Sequence, residues 1–153
     1  MDKLIQFQMN KKEEEMNQIM QCNEVTSQYG FALTTQDIED LLITKQKVLQ
    51  EVGRVEFHTT ILQQIIYEFC DSVFINKYNY VETITQLLEI FYYYRDATED
   101  YLSDEEIIRY MKIAFDGCCQ GSLEYLSEEQ LSILIDCLND KKDIYVGLDY
   151  GDI

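Results

Sequence analysis

Apolar residues recur every three to four positions along almost the whole chain, which is the spacing of amphipathic α-helices. The 153-residue sequence has no Pro to interrupt such helices. The pattern predicts six helical segments: residues 11–28, a segment from the cap at 34–37 to Gly53, residues 60–75, and segments that open at Asn79, Ser103 and Ser127. The 60–75 segment has the broadest apolar face, so we expect it to be the central, most buried helix.

The predicted helix starts carry residues that commonly cap helices. Asn79, Ser103 and Ser127 are each followed three positions later by Glu or Gln, which is the spacing of a capping box. The predicted loops are short, so neighbouring helices should pack antiparallel. The sequence therefore predicts an all-α fold, a compact single-domain bundle or irregular array of five to six amphipathic helices.

The two ends of the chain are predicted to differ from this helical body. Residues 1–10 either fray or extend the first helix through Leu4, Ile5 and Met9. Residues 11–142 form the single helical domain, in which 122–126 are predicted to be a short helix after a Gly-bounded turn. Residues 143–153 lack helical periodicity and are expected to form a non-helical tail.

The charge of the chain limits the classes of function that the protein is expected to have. The formal net charge is −17 at pH 7, and residues 61–153 hold 19 acids against 6 bases. Such a surface repels nucleic-acid phosphates and anionic lipid, so we expect no direct nucleic acid binding and no membrane binding. There is no signal-peptide pattern and no apolar run of membrane-spanning length, which predicts a cytoplasmic location. The negative charge is compatible with binding of a basic protein partner or a cation. The same charge is also explained by solubility alone.

The sequence offers little chemistry. His58 is the only imidazole, and no nucleophile–base pair or phosphate loop is evident. Adjacent Cys118 and Cys119, with Cys137 as a third ligand, are candidates for a soft-metal site, but acidic neighbours disfavour reactive thiolates. The acidic run at 96–106 lacks the spacing of a calcium loop. We therefore expect a non-enzymatic protein with no catalytic residue, no cofactor and no metal site.

Several stretches look like the landmarks of a known family: 53–57, 61–72, 99–106, 115–117 and 121–124. They make the region of about 30–140 resemble an uncharacterised bacterial family, a domain of unknown function found mainly in clostridia and their relatives. The resemblance implies a helical fold and a bacterial cytoplasmic origin. It carries no catalytic or binding residues over to this chain.

The strongest functional signal is a segment rich in Tyr and acids. Tyr is enriched at interfaces because its ring is apolar and its hydroxyl is polar. We predict an acidic interaction or accessory module that presents this segment to a basic protein partner or to a second copy of itself. The alternatives are a helical small-ligand or divalent-cation binding protein, and an acidic nucleic-acid mimic. The predicted surface comprises Tyr92, Tyr93, Tyr94, Asp96, Glu99, Asp100, Tyr101 and Asp104.

Overall fold

The computed structural model describes residues 2–148, and in this range the chain forms an all-α bundle with no β-strand. The predicted fold class is therefore confirmed. Among residues 2–148, no helix combines the length and apolar character needed to span a lipid bilayer. The α-helices are α1 (Lys3–Met20), α2 (Asn23–Thr26), α3 (Thr35–Glu51), α4 (Thr60–Phe69), α5 (Tyr80–Ala97), α6 (Asp104–Asp116), α7 (Leu123–Tyr125) and α8 (Leu131–Asn139).

Short tight turns complete the architecture. A 3₁₀ turn at Ser27–Tyr29 follows α2, and a π-helical turn at Leu126–Gln130 joins α7 to α8. A further 3₁₀ turn, Ile144–Gly147, lies in the predicted non-helical tail, where Ile144 and Leu148 are buried. The rest of that tail, 149–153, lies outside the described residues.

Helices α4 and α5 occupy the middle of the bundle. α4 contacts α1, α2, α5 and α6, and its apolar face is fully buried. It ends at Phe69 and does not reach residue 75, because the Ser72 hydroxyl donates a hydrogen bond to Asp116 Oδ1 at 2.6 Å and turns the chain. Val73, predicted to lie on the apolar face, is consequently 86% exposed. α5 packs against α3, α4, α6 and α7.

The capping predictions divide into two groups. Complete capping boxes form at Thr34 with Asp37 and at Ser103 with Glu106, and the prediction of both helix starts is confirmed. The helix start predicted at Asn79 is also confirmed, but its capping box does not form, because the Asn79 side chain accepts a hydrogen bond from the Asn76 amide in the preceding turn. The prediction at Ser127 is wrong, since Ser122 caps an earlier start and Ser127 lies inside the continuing helix.

The first helix begins at Lys3, so the described part of the 1–10 segment extends α1. All of residues 2–10 are exposed, and the helix first reaches the core at Ile19. α1 packs against α3 and α4 through its later turns. The early turns of α1 therefore form one wall of a surface groove with little packed around them.

Candidate functional site

The predicted surface of Tyr and acidic residues is only partly at the surface. Tyr92 is 1% exposed and Tyr94 is 0% exposed, so including these two residues was wrong. The physical reason is that α5 is covered on several sides, by α3, α4 and α6, and two of three consecutive side chains point inward. The Tyr94 hydroxyl donates to the buried carbonyl of Leu126 at 2.5 Å, and burial raises the pKa of Tyr94.

The remaining members lie on the outside of the α5–α6 junction. Asp96, Glu99 and Asp100 are exposed, and Tyr101 is 77% exposed. Tyr93 is half-exposed, and its hydroxyl donates to the Glu51 carboxylate at the end of α3. This bond raises the pKa of Tyr93 to about 12, chiefly by stabilising the protonated phenol beside an anion.

An ion pair connects this junction to the segment before α4. Arg54 Nη2 lies 2.6 Å from Asp100 Oδ2. The hydrogen bond to the guanidinium holds the pKa of Asp100 below its ordinary value and raises the pKa of Arg54. The acidic junction and the segment that contains Arg54 are therefore one continuous surface.

Residues 54–58, the connector, join α3 to α4 without regular secondary structure, and along 54–57 the side chains are alternately less and more exposed. Val55 and Phe57 point outward and are 77% and 70% exposed. Glu56 points inward, with a side chain only 6% exposed, and its Oε2 lies 3.4 Å from Arg95 Nη2. The connector thus displays apolar side chains outward and anchors itself through a charged one.

Two lysines fasten the end of the connector. Lys11 Nζ donates to the Phe57 carbonyl at 2.7 Å and also lies 5.6 Å from the centre of the Phe57 ring. Lys45 Nζ donates to the next carbonyl, that of His58. Lys45 is 4% exposed, and burial lowers its pKa. The connector is therefore held by bonds to α1 and α3 and by the bonds to Arg95 and Asp100.

A groove of about 990 Å³ opens between the early turns of α1, the later turns of α3 and the connector. Its walls include exposed apolar side chains on all three elements. Because globular proteins rarely expose so many large apolar groups together, such a patch points to an interaction site. They are Leu4, Phe7, Ile43, Val55 and Phe57, each at least 59% exposed.

The groove differs in charge from the rest of the protein. Four of the 12 basic residues line it, together with three acids, Glu15, Glu39 and Glu56. Two of those bases, Lys12 and Arg54, pair with carboxylates. The other two, Lys11 and Lys45, have no carboxylate of residues 2–148 within 4.0 Å, and both donate to backbone carbonyls. A lining with four bases and three acids carries +1, in a chain whose net charge is −17.

The residues considered for catalysis or metal binding lie in two separate places. His58 Nε2 is 3.1 Å from Glu56 Oε1, beside the start of α6. Cys118 Sγ lies 3.1 Å from Gln130 Oε1, beyond the far end of α6. A helix of 13 residues separates these places by about 20 Å. Within the described range, no three His, Cys, Asp or Glu side chains are arranged to hold a metal ion.

Cys119 also lacks an activating environment. Burial, and secondarily the neighbouring Cys118, raises the pKa of the Cys119 thiol to about 12. Cys119 is therefore a protonated thiol at neutral pH, and a protonated thiol is a weak nucleophile and a weak metal ligand.

Sequence reasoning missed the groove. The signal in the sequence was weak: Leu4, Ile5, Phe7 and Met9 are large apolar residues in a stretch otherwise polar, and Val55 and Phe57 alternate with charged residues. Nothing in these patterns states that α1 and the connector lie side by side. The groove depends on tertiary contacts that bring residues 4–15, 39–50 and 54–57 together.

Residues 18–143 match the family described as "Family of unknown function (DUF6323)". The match covers most of the chain, and the protein belongs to this family. No curated protein and no solved structure matches the chain. The family match begins at residue 18, after the early turns of α1 that form one wall of the groove.

Proposed function

We propose that this member of the DUF6323 family is a non-enzymatic protein-interaction module that binds an amphipathic helix in the groove between α1, α3 and the connector. The observation that carries the proposal is the exposure of Leu4, Phe7, Val55 and Phe57 around one groove, at 60–77%. A partner that covered these side chains would remove their apolar surface from water, which is the main driving force of association.

The connector supports this role because it is held in place before any partner arrives. Its backbone carbonyls bind Lys11 and Lys45, and its inward carboxylate, Glu56, pairs with Arg95. A surface already fixed in its binding conformation loses less conformational entropy on association. Phe57 and Val55 are therefore well placed to act as anchors of the interface.

The dimensions of the groove suit a helix. Its α1 wall extends from Leu4 to Glu15. At a rise of about 1.5 Å per residue this wall is about 17 Å long, which equals about three helical turns. An amphipathic helix that lays its apolar face into such a groove is a common mode of peptide recognition.

The charges describe the partner further. Lys11 lies at the connector without a carboxylate partner, so a carboxylate on the bound helix is favoured near it. Beyond the Arg54–Asp100 pair the surface continues into the acidic residues Asp96 and Glu99. A basic side chain of the partner would be favoured there. The partner helix thus carries an apolar face flanked by charges of both signs.

The proposal is tested with a photo-crosslinking amino acid placed at residue 57 of the full chain in cells of its native host. The matched control carries the same group at residue 73, because Val73 is 86% exposed but lies outside the groove. We expect a discrete protein adduct from position 57, none from position 73, and loss of the adduct when Phe7→Ser is added. Equal adducts from both positions, or none from position 57, would overturn the proposal.

A further inference from the structure

We infer that the helix bound in the groove is α1 of a second copy of this chain, so that two copies pair with their first helices antiparallel. This inference rests on the proposed function and names its partner. The early turns of α1 are exposed on every side, which leaves them available to another molecule. Both the groove and the helix that would fill it are thus present on one chain.

The composition of α1 matches the helix that the groove favours. Leu4, Ile5, Phe7 and Met9 are 48–64% exposed, and three consecutive acids, Glu13 to Glu15, follow them in the same helix. α1 therefore offers exposed apolar side chains and carboxylates within about three turns. Phe57 of the second copy would contact the apolar side chains, and Lys3 of the second copy would contact the carboxylates.

The geometry also allows a closed dimer. α1 is itself one wall of the groove, so the helix and the groove belong to the same face of the molecule. A two-fold axis on this face lets each copy insert α1 into the groove of the other. Such an interface covers both apolar surfaces at once and leaves none open for further growth.

Electrostatics favours contact between two copies at the groove. Two copies with a net charge of −17 each repel one another across most of their surfaces. The side chains that line the groove sum to +1, with Lys11, Lys12, Lys45 and Arg54 against three acids. The two copies therefore meet with the least repulsion where their apolar side chains are exposed.

The helix pairing has a favoured register. If the two α1 helices cross near residues 8 and 9, Lys3 of each copy lies opposite the acids 13–15 of the other. The same crossing places Leu4 of one copy opposite Glu13 of the other and brings Phe7 of both copies near the crossing point. Charge matching therefore sets this register, and the apolar contacts of Leu4 are made with the groove of the other copy.

The first experiment is sedimentation velocity on the full chain from 1 to 200 µM. We expect a concentration-dependent species of twice 18.2 kDa. Phe7→Glu should raise the dissociation constant of the dimer at least tenfold, whereas the control Val73→Glu should leave this constant unchanged. Added salt should strengthen the dimer, since screening reduces the repulsion between the two net charges. A monomer at every concentration, or a dimer indifferent to Phe7→Glu, would overturn the inference.

The register is tested by disulfide trapping. Gln8→Cys should give a covalent dimer under mild oxidation, because residue 8 lies beside the crossing point. Asn17→Cys on the same helix is the matched control, since Asn17 is exposed and about 13 Å away along the helix axis. Trapping at residue 17 and not at residue 8 would overturn the antiparallel pairing.

The two proposals fail in distinguishable ways. If the crosslinked adduct from position 57 has the mass of two chains, both proposals are supported. If the adduct contains a different protein and the purified chain stays monomeric, the groove still binds a partner and only the self-pairing is overturned.

Discussion

Phe57 and Phe115 show that the two ends of this bundle use the same side chain in opposite ways. Phe115 is 1% exposed and packs edge-on against Phe69 and Phe74, with ring centres 5.6 and 6.1 Å away. Phe57 is 70% exposed and its ring contact is with the ammonium of Lys11. Around α6 the packing of apolar side chains fixes the backbone, whereas at the connector charged bonds fix the backbone and leave the apolar side chains free.

The comparison predicts a large difference in stability between the two positions. Phe115→Ala should lower the free energy of unfolding by about 3–5 kcal/mol, because it removes a buried ring and leaves a cavity. Phe57→Ala should change it by no more than about 0.5 kcal/mol, since little buried surface is lost. Urea denaturation followed by circular dichroism measures both values.

The same pair of variants separates stability from binding. Phe57→Ala should abolish association at the groove while the urea midpoint stays near that of the parent. If Phe57→Ala instead unfolded the protein as strongly as Phe115→Ala, the exposed connector would be a structural element and the comparison would fail.

Two neighbouring tyrosines of α5 give a smaller contrast within the core itself. The Tyr94 hydroxyl donates to the Leu126 carbonyl, whereas the buried Tyr92 hydroxyl makes no hydrogen bond of good geometry, although the Glu56 carboxylate lies near it. Tyr94→Phe should cost about 1–2 kcal/mol of unfolding free energy, because a buried carbonyl loses its donor. Tyr92→Phe should be neutral within about 0.5 kcal/mol, as no bond is lost.

Thermal and urea denaturation of both variants check this contrast, and the parent chain serves as reference. Equal losses for the two substitutions would mean that the Tyr92 hydroxyl is bonded after all. The Glu56 carboxylate would then be its acceptor, since this carboxylate is close enough to contribute to the raised pKa of Tyr92 after burial, the larger cause.

The fold was largely predictable from the sequence, because most of its helices are determined by residues that are close together along the chain. Apolar periodicity identified the principal helices. The side chains of Thr34 and Ser103 cap helices through hydrogen bonds to residues only three positions later in the sequence. The predictions failed where the local structure is set by a contact between residues that the local pattern does not include. α4 ends early because Ser72 bonds Asp116, which is 44 residues away. The Asn79 side chain is occupied by the preceding turn, which periodicity does not describe.

The candidate site was less predictable, because exposure depends on which helices cover which face. The sequence predicted that Tyr92, Tyr93 and Tyr94 would belong to one surface, yet only Tyr93 is half-exposed. The ion pair between Arg54 and Asp100 spans 46 residues. No local pattern predicts that this pair joins the acidic junction to an apolar groove.

Lys45 extends the comparison to the pH dependence of stability. Burial lowers its pKa, the nearby Glu15 and Glu56 oppose that effect, and Lys11 reinforces it. The folded state therefore binds the Lys45 proton less tightly than the unfolded state does. The Lys45 contribution destabilises the fold below the folded pKa, and stability is regained as pH rises towards the ordinary value of 10.5.

Lys45→Met should therefore be at least as stable as the parent at pH 7, within about 1 kcal/mol, because an apolar side chain needs no desolvation of charge. Its advantage over the parent should shrink as pH rises from neutral towards 10.5. Urea titrations of both proteins across this range measure the difference, and groups that titrate equally in both cancel. An advantage that grows with pH would contradict the direction of the shift.

The smallest effect is expected at the ion pair that joins the two regions. Asp100 is exposed and its pKa is lowered mainly by the hydrogen bond from Arg54. Its stabilising contribution is present above the ordinary carboxyl pKa and is lost as pH falls through the lowered value. Arg54→Gln should raise the pKa of Asp100 towards 3.8, measured by carboxyl-carbon NMR titration of the variant and the parent. An unchanged Asp100 pKa would mean that the acidic junction and the connector are electrostatically separate, so that the groove would have to bind its partner without the acidic surface beside it.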